Sequence, residues 1–551
     1  MDLYEEYVQK GYWGNLVLGD LLDHSVRDYP EKIAMVQGER RITYKQFGSM
    51  VNRLAFKLLE LGVGKGDFVA IVVPNCIEYA YFEFAVAKIG AVSIPMVHTQ
   101  QIREVGYAVN LFNPPLLVVS SGYTKLDFID MAQQLRQQYP CVKNVIVVRE
   151  PASKPSYPPG MTSFDQLMSK PAPNEDDPEM LRKFRPKGTD LLRVTLSAGT
   201  TGAPKAAMRT HNDSLASLRW DAVWHDWGEN VLLFFPLGHS TGHFVGLDLQ
   251  VLLGRQITLM MGKFDAESVL SLIEKENVTA VYLPTPLFTT IAEALEKRPQ
   301  LALAYNLKSL TKFVFGGAQA ASTMIHTMIE STGRPVLQTW GMAEGAVTST
   351  LITDPPYVQA YTIGQIQCPD AKIKVVDEDG KDVPAGTPGE LMYKGPFLFA
   401  GYYKDPELTK KSIDAEGYFH TGDQVILDRY GNIKIVGRLK DLIRRGGEPI
   451  SAVEVEDIIA RHEKVAEVAV VAMPDKRMIE KVCAYVVPKP NATITFDEII
   501  AFMKTKGIAT FKLPERIELI DRLPRGEQKG NVLKARLRED VTNKLKAEGQ
   551  I

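Results

Sequence analysis

The chain has 551 residues, which is enough for about three to four domain-sized units with buried cores. Lysine and arginine together number 64 and aspartate and glutamate 66, so the formal net charge at pH 7 is −2. A protein this close to neutrality has no strong field with which to gather nucleic acid or an anionic membrane. We therefore expect no nucleic-acid partner, and we expect charged substrates to be bound by local groups.

The first residues, the apolar stretches and the cysteines bear on the compartment of the protein. The N-terminus carries early acids at Asp2 and Glu5 and no apolar run with a cleavage site, which argues against a secretory signal. The apolar run 468–473 is far shorter than the roughly 20 residues needed to cross a bilayer, so it predicts a buried strand. Widely spaced cysteines predict reduced thiols at Cys76, Cys141, Cys368 and Cys483. The sequence predicts a cytoplasmic protein with no membrane span.

Helical and strand patterns alternate through much of the chain. Residues 44–61 have a helical pattern, residues 68–73 form a short apolar run, and a second helical pattern extends to Ala87. Short apolar runs flanked by helical patterns recur at residues 116–119, 145–148, 281–283 and 313–315. This alternation predicts layered α/β structure with parallel sheets and with ligand loops at the strand ends. Residues 151–187, rich in proline and charge, are predicted to be a surface connection.

Residues 197–205 concentrate glycines, hydroxyls and one lysine. The residues with these properties are Ser197, Gly199, Thr200, Thr201, Gly202 and Lys205. Glycines permit tight turns, so backbone N–H groups and threonine hydroxyls are able to converge on phosphate oxygens while the lysine supplies positive charge. A P-loop of the Walker type needs Gly-Lys-Ser/Thr running into a helix, whereas Pro204 precedes the lysine here. The segment predicts a different phosphate-binding loop, with a plain hairpin or linker as the alternative.

The pattern changes towards the C-terminus. Residues 364–436 contain short alternating strands separated by Gly and Asp turns, which predicts a distorted barrel. The strongly polar residues 438–441 follow, and a fresh helix and strand pattern begins at Val453. We therefore predict two domains, residues 1–437 and residues 438–551, with an ordinary charged linker as the alternative at their junction.

Further motifs follow the glycine-rich segment in a fixed order. They are Pro236-Leu237-Gly238-His239, Gly316-Gly317-Ala318, Trp340-Gly341-Met342-Ala343-Glu344, Gly389-Glu390-Leu391, Gly401-Tyr402-Tyr403, His420-Thr421-Gly422-Asp423, Gly437-Arg438-Leu439-Lys440-Asp441 and Gly446-Gly447-Glu448. Along nearly its whole length the chain resembles the superfamily of adenylate-forming enzymes, which includes acyl-CoA synthetases, aryl-acid AMP ligases, peptide-synthetase adenylation domains and beetle luciferases. Segments 340–345 and 507–514 are most similar to the aryl-acid AMP ligase branch.

The resemblance implies a multidomain α+β architecture. A large N-terminal domain of layered α/β sheets plus a distorted β-barrel would bind ATP and the acid. A small mobile C-terminal α+β domain would turn about a hinge at Lys440.

The resemblance also implies how the triphosphate is bound. Thr200, Thr201 and Lys205 map to the phosphate loop, and Glu344 maps to the Mg²⁺ site that bridges ATP oxygens. One carboxylate completed by water and phosphate oxygens suits Mg²⁺, and the alternative for Glu344 is a solvated surface acid. Ala343 stands where the family usually has a threonine, so one hydroxyl is missing from the phosphate region.

The nucleoside is implied to bind nearby. Asp423 would accept hydrogen bonds from both ribose hydroxyls, because a carboxylate offers two acceptor oxygens, and Arg438 would make a second ribose or phosphate contact. The other implied nucleotide positions are Ser197, Gly199, Gly202, Gly316, Gly317, Ala318, Trp340, Gly341 and Met342. Those near Gly316 and Trp340 match the adenine pocket, although the two glycines are also able simply to end a strand.

His239 is implied to open the acid pocket. The pocket positions are His239, Ser240, Val245, Gly316 and Val347. The histidine assignment rests on the resemblance, because a lone histidine is usually structural. Dihydroxybenzoate enzymes carry an asparagine at the position of Ser240, so the small hydroxyl beside two valines favours a less polar ring or an alicyclic acid.

The C-terminal motif departs from the family pattern. Family members have a Gly-Lys pair whose lysine contacts the carboxylate and phosphate during adenylation, whereas this chain reads Gly530-Asn531 with one extra residue upstream. Either Lys529 or Lys534 replaces that lysine through a shifted loop, or adenylation lacks the cation. By analogy with the loss of one transition-state donor, the missing cation would slow adenylation by on the order of 10² to 10³.

The sequence therefore predicts an acid–thiol ligase of the AMP-forming type. ATP and Mg²⁺ would convert a small carboxylic acid to its adenylate, and rotation about the hinge would present the adenylate to a thiol. The predicted catalytic residues are Lys205, His239, Glu344, Lys440 and Lys529. CoA is the predicted acceptor, and the phosphopantetheine of an acyl- or aryl-carrier protein is the alternative. An adenylate-binding homologue with weakened catalysis and a luciferase-like oxygenase also stay open.

Overall fold

The computed structural model describes most of the chain. The described residues are 3–123, 128–149, 157–158, 160–172, 177–197, 204–224, 226–317, 320, 322–438, 441–445, 448–475, 478–506, 508, 510–525 and 532–551. Four sheets, of seven, nine, four and five strands, organise these residues.

The N-terminal segments form the seven-stranded sheet and contribute their first two strands to the nine-stranded sheet. They are α1 (Leu3–Gln9), α2 (Leu18–Asp28), β1 (Ile33–Gln37), β2 (Arg40–Thr43), α3 (Tyr44–Glu60), β3 (Phe68–Val72), α4 (Ile77–Lys88), β4 (Val92–Met96), α5 (Ile102–Phe112), β5 (Leu116–Ser121), α6 (Phe128–Gln138), β6 (Asn144–Arg149), β7 (Met161–Ser163), α7 (Phe164–Met168), β8 (Leu191–Ser197) and β9 (Lys205–Thr210). The strand order is β7-β6-β5-β3-β4-β8-β9, with only β8 and β9 antiparallel. Helix α3 begins at a capping box, because Thr43 Oγ1 accepts from Gln46 N and Gln46 Oε1 accepts from Thr43 N.

The next segments complete the nine-stranded sheet. They are α8 (His211–Trp224), β10 (Asn230–Leu233), α9 (Ser240–His243), a π-helical turn (Phe244–Asp248), α10 (Leu249–Leu252), β11 (Gln256–Leu259), α11 (Ala266–Glu276), β12 (Ala280–Pro284), α12 (Thr285–Lys297), β13 (Lys312–Gly316), α13 (Ser322–Thr332), β14 (Val336–Gly341), β15 (Val347–Ser349), α14 (Pro356–Tyr361) and β16 (Gln365–Ile366). The strand order is β16-β15-β14-β13-β12-β10-β11-β1-β2, parallel from β14 to β1. The carboxyl ends of β12, β13 and β14 therefore meet at one edge, where parallel sheets usually bind ligands.

An antiparallel sheet follows. Its segments are β17 (Lys372–Val376), β18 (Pro388–Lys394), α15 (Pro406–Ser412), β19 (Phe419–Leu427) and β20 (Ile433–Arg438). The strands pair in sequence order, and the β17–β18 and β19–β20 connections contain Gly380 and Gly431 at φ +77° and +89°. Glycine is favoured at such positive φ values because a Cβ would strain the turn.

The last sheet contains the C-terminal segments. They are β21 (Ile443–Arg445), β22 (Glu448–Ile450), α16 (Ala452–Ile459), β23 (Val465–Asp475), β24 (Ile479–Pro488), α17 (Phe496–Thr505), β25 (Arg516–Leu519) and α18 (Lys534–Ala547). Strands β22-β21-β24-β23 are antiparallel neighbours, and β25 runs parallel to β24. This sheet has its own core, formed by side chains such as Val455, Val470, Val482 and Ile499.

The predicted mixed α/β class is confirmed, and so are most of its elements. The helical pattern at 44–61 is α3, and the apolar runs predicted as strands are found in β3, β5, β6, β12, β13 and β23. Residues 151–187 differ from the predicted surface connection, because Phe164 and Met168 of α7 pack in the core and β7 pairs with β6. Cys76, Cys368 and Cys483 are buried free thiols, as predicted, whereas Cys141 is half-buried. Within the described ranges, no helix is long and apolar enough to cross a membrane.

One buried arginine joins three of the sheets. Arg209 lies on β9, and its Nε donates to the Asp213 carboxylate at the start of α8. Its Nη1 donates to the carbonyl of Ala343 at 3.1 Å, just after β14, and its Nη2 donates to the carbonyl of Phe397 at 3.4 Å, just after β18. One guanidinium on β9 therefore fixes the loops that follow β14 and β18.

The substitution Arg209→Met is expected to lower the free energy of unfolding by about 3–5 kcal/mol, because it leaves the buried Asp213 carboxylate without its cation. Urea unfolding followed by circular dichroism measures this change. Arg27→Met is the matched control, since the Arg27 side chain is 66% exposed beside Asp28 and its loss should leave the free energy of unfolding nearly unchanged. A similar decrease in the free energy of unfolding in the two variants would show that Arg209 does not hold the three sheets together.

Candidate active site

A cleft of about 1160 Å³ lies where the nine-stranded, antiparallel and C-terminal sheets approach one another. Its wall includes many of the residues predicted from scattered segments of the sequence. These are His239, Ser240, Val245, Gly317, Trp340, Gly341, Met342, Val347 and Asp423. The fold thus brings the predicted adenine, ribose and acid positions into one cavity.

Trp340 and Asp423 meet inside this cleft. The indole Nε1 of Trp340 donates a hydrogen bond of 3.0 Å to Asp423 Oδ2, and Asp423 is buried. Arg438 is the residue directly opposite Asp423 in the β19–β20 pairing, and its side chain lies outside the described part of the structure. A buried carboxylate held by an indole offers acceptor oxygens beside an aromatic face, which suits a nucleoside.

The predicted adenine glycines stand at the carboxyl end of β13. A Cβ on Gly316 would lie 2.3 Å from Thr339 Oγ1 and 2.6 Å from the Thr339 carbonyl on β14, so only glycine fits. Gly317 follows with φ +90° and lines the cleft. Ala318 lies outside the described residues. The glycines therefore do more than end a strand, since they permit close approach of two backbones beside the cavity.

The two ends of the predicted phosphate loop are described. Ser197 ends β8 and Lys205 begins β9, and the two residues are cross-strand partners. The Lys205 Nζ atom lies 5.3 Å from the centroid of the Tyr402 ring. The intervening predicted residues, Gly199, Thr200, Thr201 and Gly202, lie outside the described part of the chain.

Glu344 contacts the same tyrosine and is not a solvated surface acid. Its carboxylate is buried, and Oε1 accepts a hydrogen bond of 2.7 Å from Tyr402 Oη. Phe399 N donates to the Glu344 carbonyl at 2.9 Å. A carboxylate oxygen fixed in this way fits a Mg²⁺ ion whose other ligands are water and phosphate oxygens.

The acid-pocket segment forms a short helix and a π-helical turn. His239 is the N-cap of α9, where its Nδ1 accepts from Thr241 N at 3.2 Å. His243, one turn later, is buried, and burial together with the nearby Arg193 guanidinium lowers its pKa, so it is neutral at physiological pH. Apolar side chains of Phe244, Val245 and Val347 line the same part of the cleft.

A buried ion cluster lies behind this pocket. The Arg193 guanidinium contacts the carboxylates of Asp248 at 2.5 Å and Glu83 at 3.3 Å. Glu83 Oε1 also accepts from Tyr79 Oη and Ser93 Oγ. Burial raises the pKa of Asp248 to about 6, against the opposing effect of Arg193. Arg193 reaches the cleft wall, so the floor of the pocket is polar although its sides are apolar.

The C-terminal side of the cleft carries paired charges. Lys534 Nζ lies 2.6 Å from Glu456 Oε1, and Arg538 Nη1 lies 2.8 Å from Asp441 Oδ1. Burial raises the pKa of Glu456, and Lys534 opposes that rise. Lys440, Lys529 and Asn531 lie outside the described residues.

Sequence reasoning missed Arg193, Arg209 and Tyr402 as site residues. The two arginines interrupt apolar strand patterns, and a charge within such a run signals a buried ion pair. The carboxylate partners of Arg193 and the carbonyl partners of Arg209 come from distant segments, so the sequence did not identify them. Tyr402 was noted only as part of a motif.

The comparisons with known proteins agree with this geometry. A family model described as "AMP-binding enzyme" matches residues 22–403, and a second, "AMP-binding enzyme C-terminal domain", matches residues 454–530. The chain belongs to the AMP-binding enzyme family. The predicted adenylate-forming superfamily is thereby confirmed, and its relatives include aryl-acid AMP ligases.

Two relatives of this AMP-binding enzyme cover nearly its whole length. The medium-chain fatty-acid–CoA ligase of Escherichia coli (strain K12) is 32% identical over 546 residues, which cover 98% of this chain and 93% of the relative. The 2,3-dihydroxybenzoate-AMP ligase of Bacillus subtilis (strain 168) is 30% identical over 548 residues, which cover 99% of this chain and 97% of the relative. A solved structure of the anthranilate CoA ligase AuaEII with anthranoyl-AMP shares the fold, with a TM-score of 0.84 at 23% identity. The match covers 97% of this chain and 98% of that structure. The AMP-binding enzyme described here is accordingly an acid-adenylating ligase.

The substitution Gly316→Ala is expected to weaken ATP binding at least about tenfold, because the added methyl group forces β13 and β14 apart beside Trp340. Isothermal titration with ATP measures the dissociation constant. Gly64→Ala is the control, since nothing lies within 4 Å of a Cβ there. Unchanged ATP affinity in Gly316→Ala would remove this strand end from the nucleotide site.

Proposed function

We propose that this enzyme activates an aromatic or alicyclic carboxylic acid as its acyl-adenylate and then transfers the acyl group to the thiol of CoA. The observation that carries the proposal is one cleft lined by the Trp340–Asp423 pair and by an apolar pocket beside His239. Glu344 lies between the lining residues Ala343 and Gly345, and Tyr402 joins it to Lys205. These groups match the three parts that adenylation must bring together, namely the nucleoside, the triphosphate and the acid.

The chemistry follows from the charges involved. A carboxylate oxygen attacks the α-phosphorus of ATP, the bond between the α- and β-phosphates breaks, and pyrophosphate leaves. Both reactants are anions, so positive charge must lie between them, and Lys205 would supply part of it. Mg²⁺ held at Glu344 would neutralise the charge that develops on the leaving pyrophosphate. His239, at the pocket entrance, would orient the acid carboxylate.

The pocket favours a compact acid with a modest polar substituent. Its sides are Phe244, Val245 and Val347, and Ser240 offers one small hydroxyl. Behind the pocket the Asp248 and Glu83 carboxylates pair with Arg193, which lines the cleft, so this guanidinium is already neutralised and would not attract a second anionic group on the substrate. The two relatives act, by their names, on a fatty acid and on a dihydroxybenzoate. An aromatic or alicyclic monoacid fits the apolar sides better than a catechol does.

The second half-reaction needs the C-terminal sheet to move. We propose residues 438–551 as the mobile domain, because β20 ends at Arg438 and the new sheet begins at Ile443. In the present arrangement Ser451 Oγ donates to the Val436 carbonyl across this junction. Lys440 lies between the two sheets in the chain, where a change of a few backbone dihedrals would reorient everything that follows.

Lys529 is the proposed adenylation cation of the C-terminal domain. Lys534 already neutralises Glu456 at 2.6 Å, and releasing it would leave this half-buried carboxylate without its cation. Arg525 and Val532, which precede and follow residues 526–531 in the chain, form a β-bridge in the cleft wall.

The proposal is tested by ATP–pyrophosphate exchange over benzoates, hydroxybenzoates, alicyclic acids and fatty acids, repeated as AMP release with CoA. Exchange with an aromatic or alicyclic monoacid and a CoA-dependent rise in AMP release are expected. Exchange without any response to CoA would favour a carrier-protein phosphopantetheine as the acceptor. Absence of exchange with every acid would indicate a binding homologue with weakened catalysis.

Lys440→Ala is expected to retain pyrophosphate exchange within about twofold and to lower CoA-dependent AMP release at least about tenfold, because a hinge acts between the half-reactions. Lys434→Ala is the matched control, since this exposed lysine lies on the adjoining strand β20. Equal losses in the two half-reactions for Lys440→Ala would refute the hinge.

A further inference from the structure

Tyr402 contacts both charged groups proposed to bind the metal–triphosphate. Its hydroxyl donates to Glu344 Oε1 at 2.7 Å, and its ring lies 5.3 Å from Lys205 Nζ. We propose that Tyr402 is a positioning residue for Mg²⁺·ATP, which holds the carboxylate and the ammonium at a fixed separation before the nucleotide arrives. This inference rests on the proposed function, in which Glu344 and Lys205 bind the triphosphate.

The backbone fixes Tyr402 relative to Lys205. Ala400 N donates to the Met208 carbonyl at 3.0 Å, and Met208 N donates to the Gly401 carbonyl at 2.9 Å. Tyr403 N donates to the Ala206 carbonyl at 2.8 Å, and Tyr402 itself forms a bridge with Ala207. The segment thus extends the edge of β9, the strand that begins with Lys205. A movement of the strand would carry both residues together.

The same segment also fixes Glu344 at two points. Phe399 N bonds the backbone carbonyl of Glu344, and Tyr402 Oη bonds its side chain. Glu344 and Tyr402 are 6% and 3% exposed, so water offers little replacement for this hydrogen bond. A hydrogen bond to a buried carboxylate is among the stronger kinds in proteins.

The aromatic ring completes the arrangement. An ammonium within about 6 Å of a ring centroid is attracted to the face of the ring, and this attraction limits the conformations of the long lysine side chain. Lys205 lies at this distance. One tyrosine therefore restrains a cation through its ring and an anion through its hydroxyl, and these are the two kinds of group that a metal-bound triphosphate needs.

Tyr402→Phe separates the two contributions, because it removes the hydroxyl and keeps the ring. Isothermal titration with ATP and MgCl₂, in the absence of any acid, should give affinity about tenfold weaker than in the unsubstituted enzyme, the loss expected for one hydrogen bond to a charged group. Affinity for AMP, which lacks the β- and γ-phosphates, should stay within about twofold. Tyr403→Phe is the matched control, because the Tyr403 ring packs against Phe68 and Phe112. This substitution should leave the affinities for ATP and for AMP unchanged.

A double-substitution cycle tests whether Tyr402 acts through Glu344. In a Glu344→Gln background, adding Tyr402→Phe should change Mg²⁺·ATP affinity by less than about twofold, because coupled residues are not additive. A tenfold loss of Mg²⁺·ATP affinity from Tyr402→Phe in both the unsubstituted and the Glu344→Gln enzyme would overturn the inference. Equal losses of affinity for ATP and for AMP would overturn it too. Thermal unfolding midpoints of all variants exclude misfolding as the cause. If the unsubstituted enzyme binds Mg²⁺·ATP no better than ATP with EDTA, the proposed function fails, and the inference fails with it.

Discussion

The Arg209 guanidinium is the interaction on which the active-site geometry depends. It lies on β9, pairs with Asp213, and donates to the carbonyls of Ala343 and Phe397, which belong to loops of two other sheets. Arginine suits this junction because its planar fork offers five donors in fixed directions. Since the loop that carries Glu344 follows Ala343 directly, the position of the proposed metal carboxylate depends on a cation that itself need not touch the nucleotide.

The site also shows how a nearly neutral protein handles a highly charged reaction. The net charge of −2 gives no general attraction for ATP, so charge must be organised locally. Most buried ions in the described part of the site are already compensated, as in the Arg193 cluster and the Lys534–Glu456 pair. Lys205 differs, because its Nζ lies over the Tyr402 ring and no carboxylate among the described residues forms an ion pair with it. That arrangement keeps its positive charge for a ligand.

The sequence predicted much of the fold and of the site, and the exceptions have a physical cause. The sequence predicts features that depend on neighbouring residues. These include periodic patterns, such as the helix at 44–61, and ordered motifs, such as the one around Trp340. The polar contacts that position those motifs join residues far apart in the chain: Arg209 and Phe397 are separated by 188 positions. No local pattern encodes such a pairing, so Arg209 and the Tyr402–Glu344 contact emerged only from the structure.

The central claim is that this cleft forms an acyl-adenylate, and isotope transfer tests it most directly. An acid found active in exchange is labelled with ¹⁸O in both carboxylate oxygens and allowed to react with ATP, Mg²⁺ and a thiol, and the AMP is analysed by mass spectrometry. Attack of the carboxylate on the α-phosphorus followed by cleavage of the carbonyl C–O bond predicts one ¹⁸O in each AMP. Label in phosphate released with ADP, or AMP without label, would contradict the account.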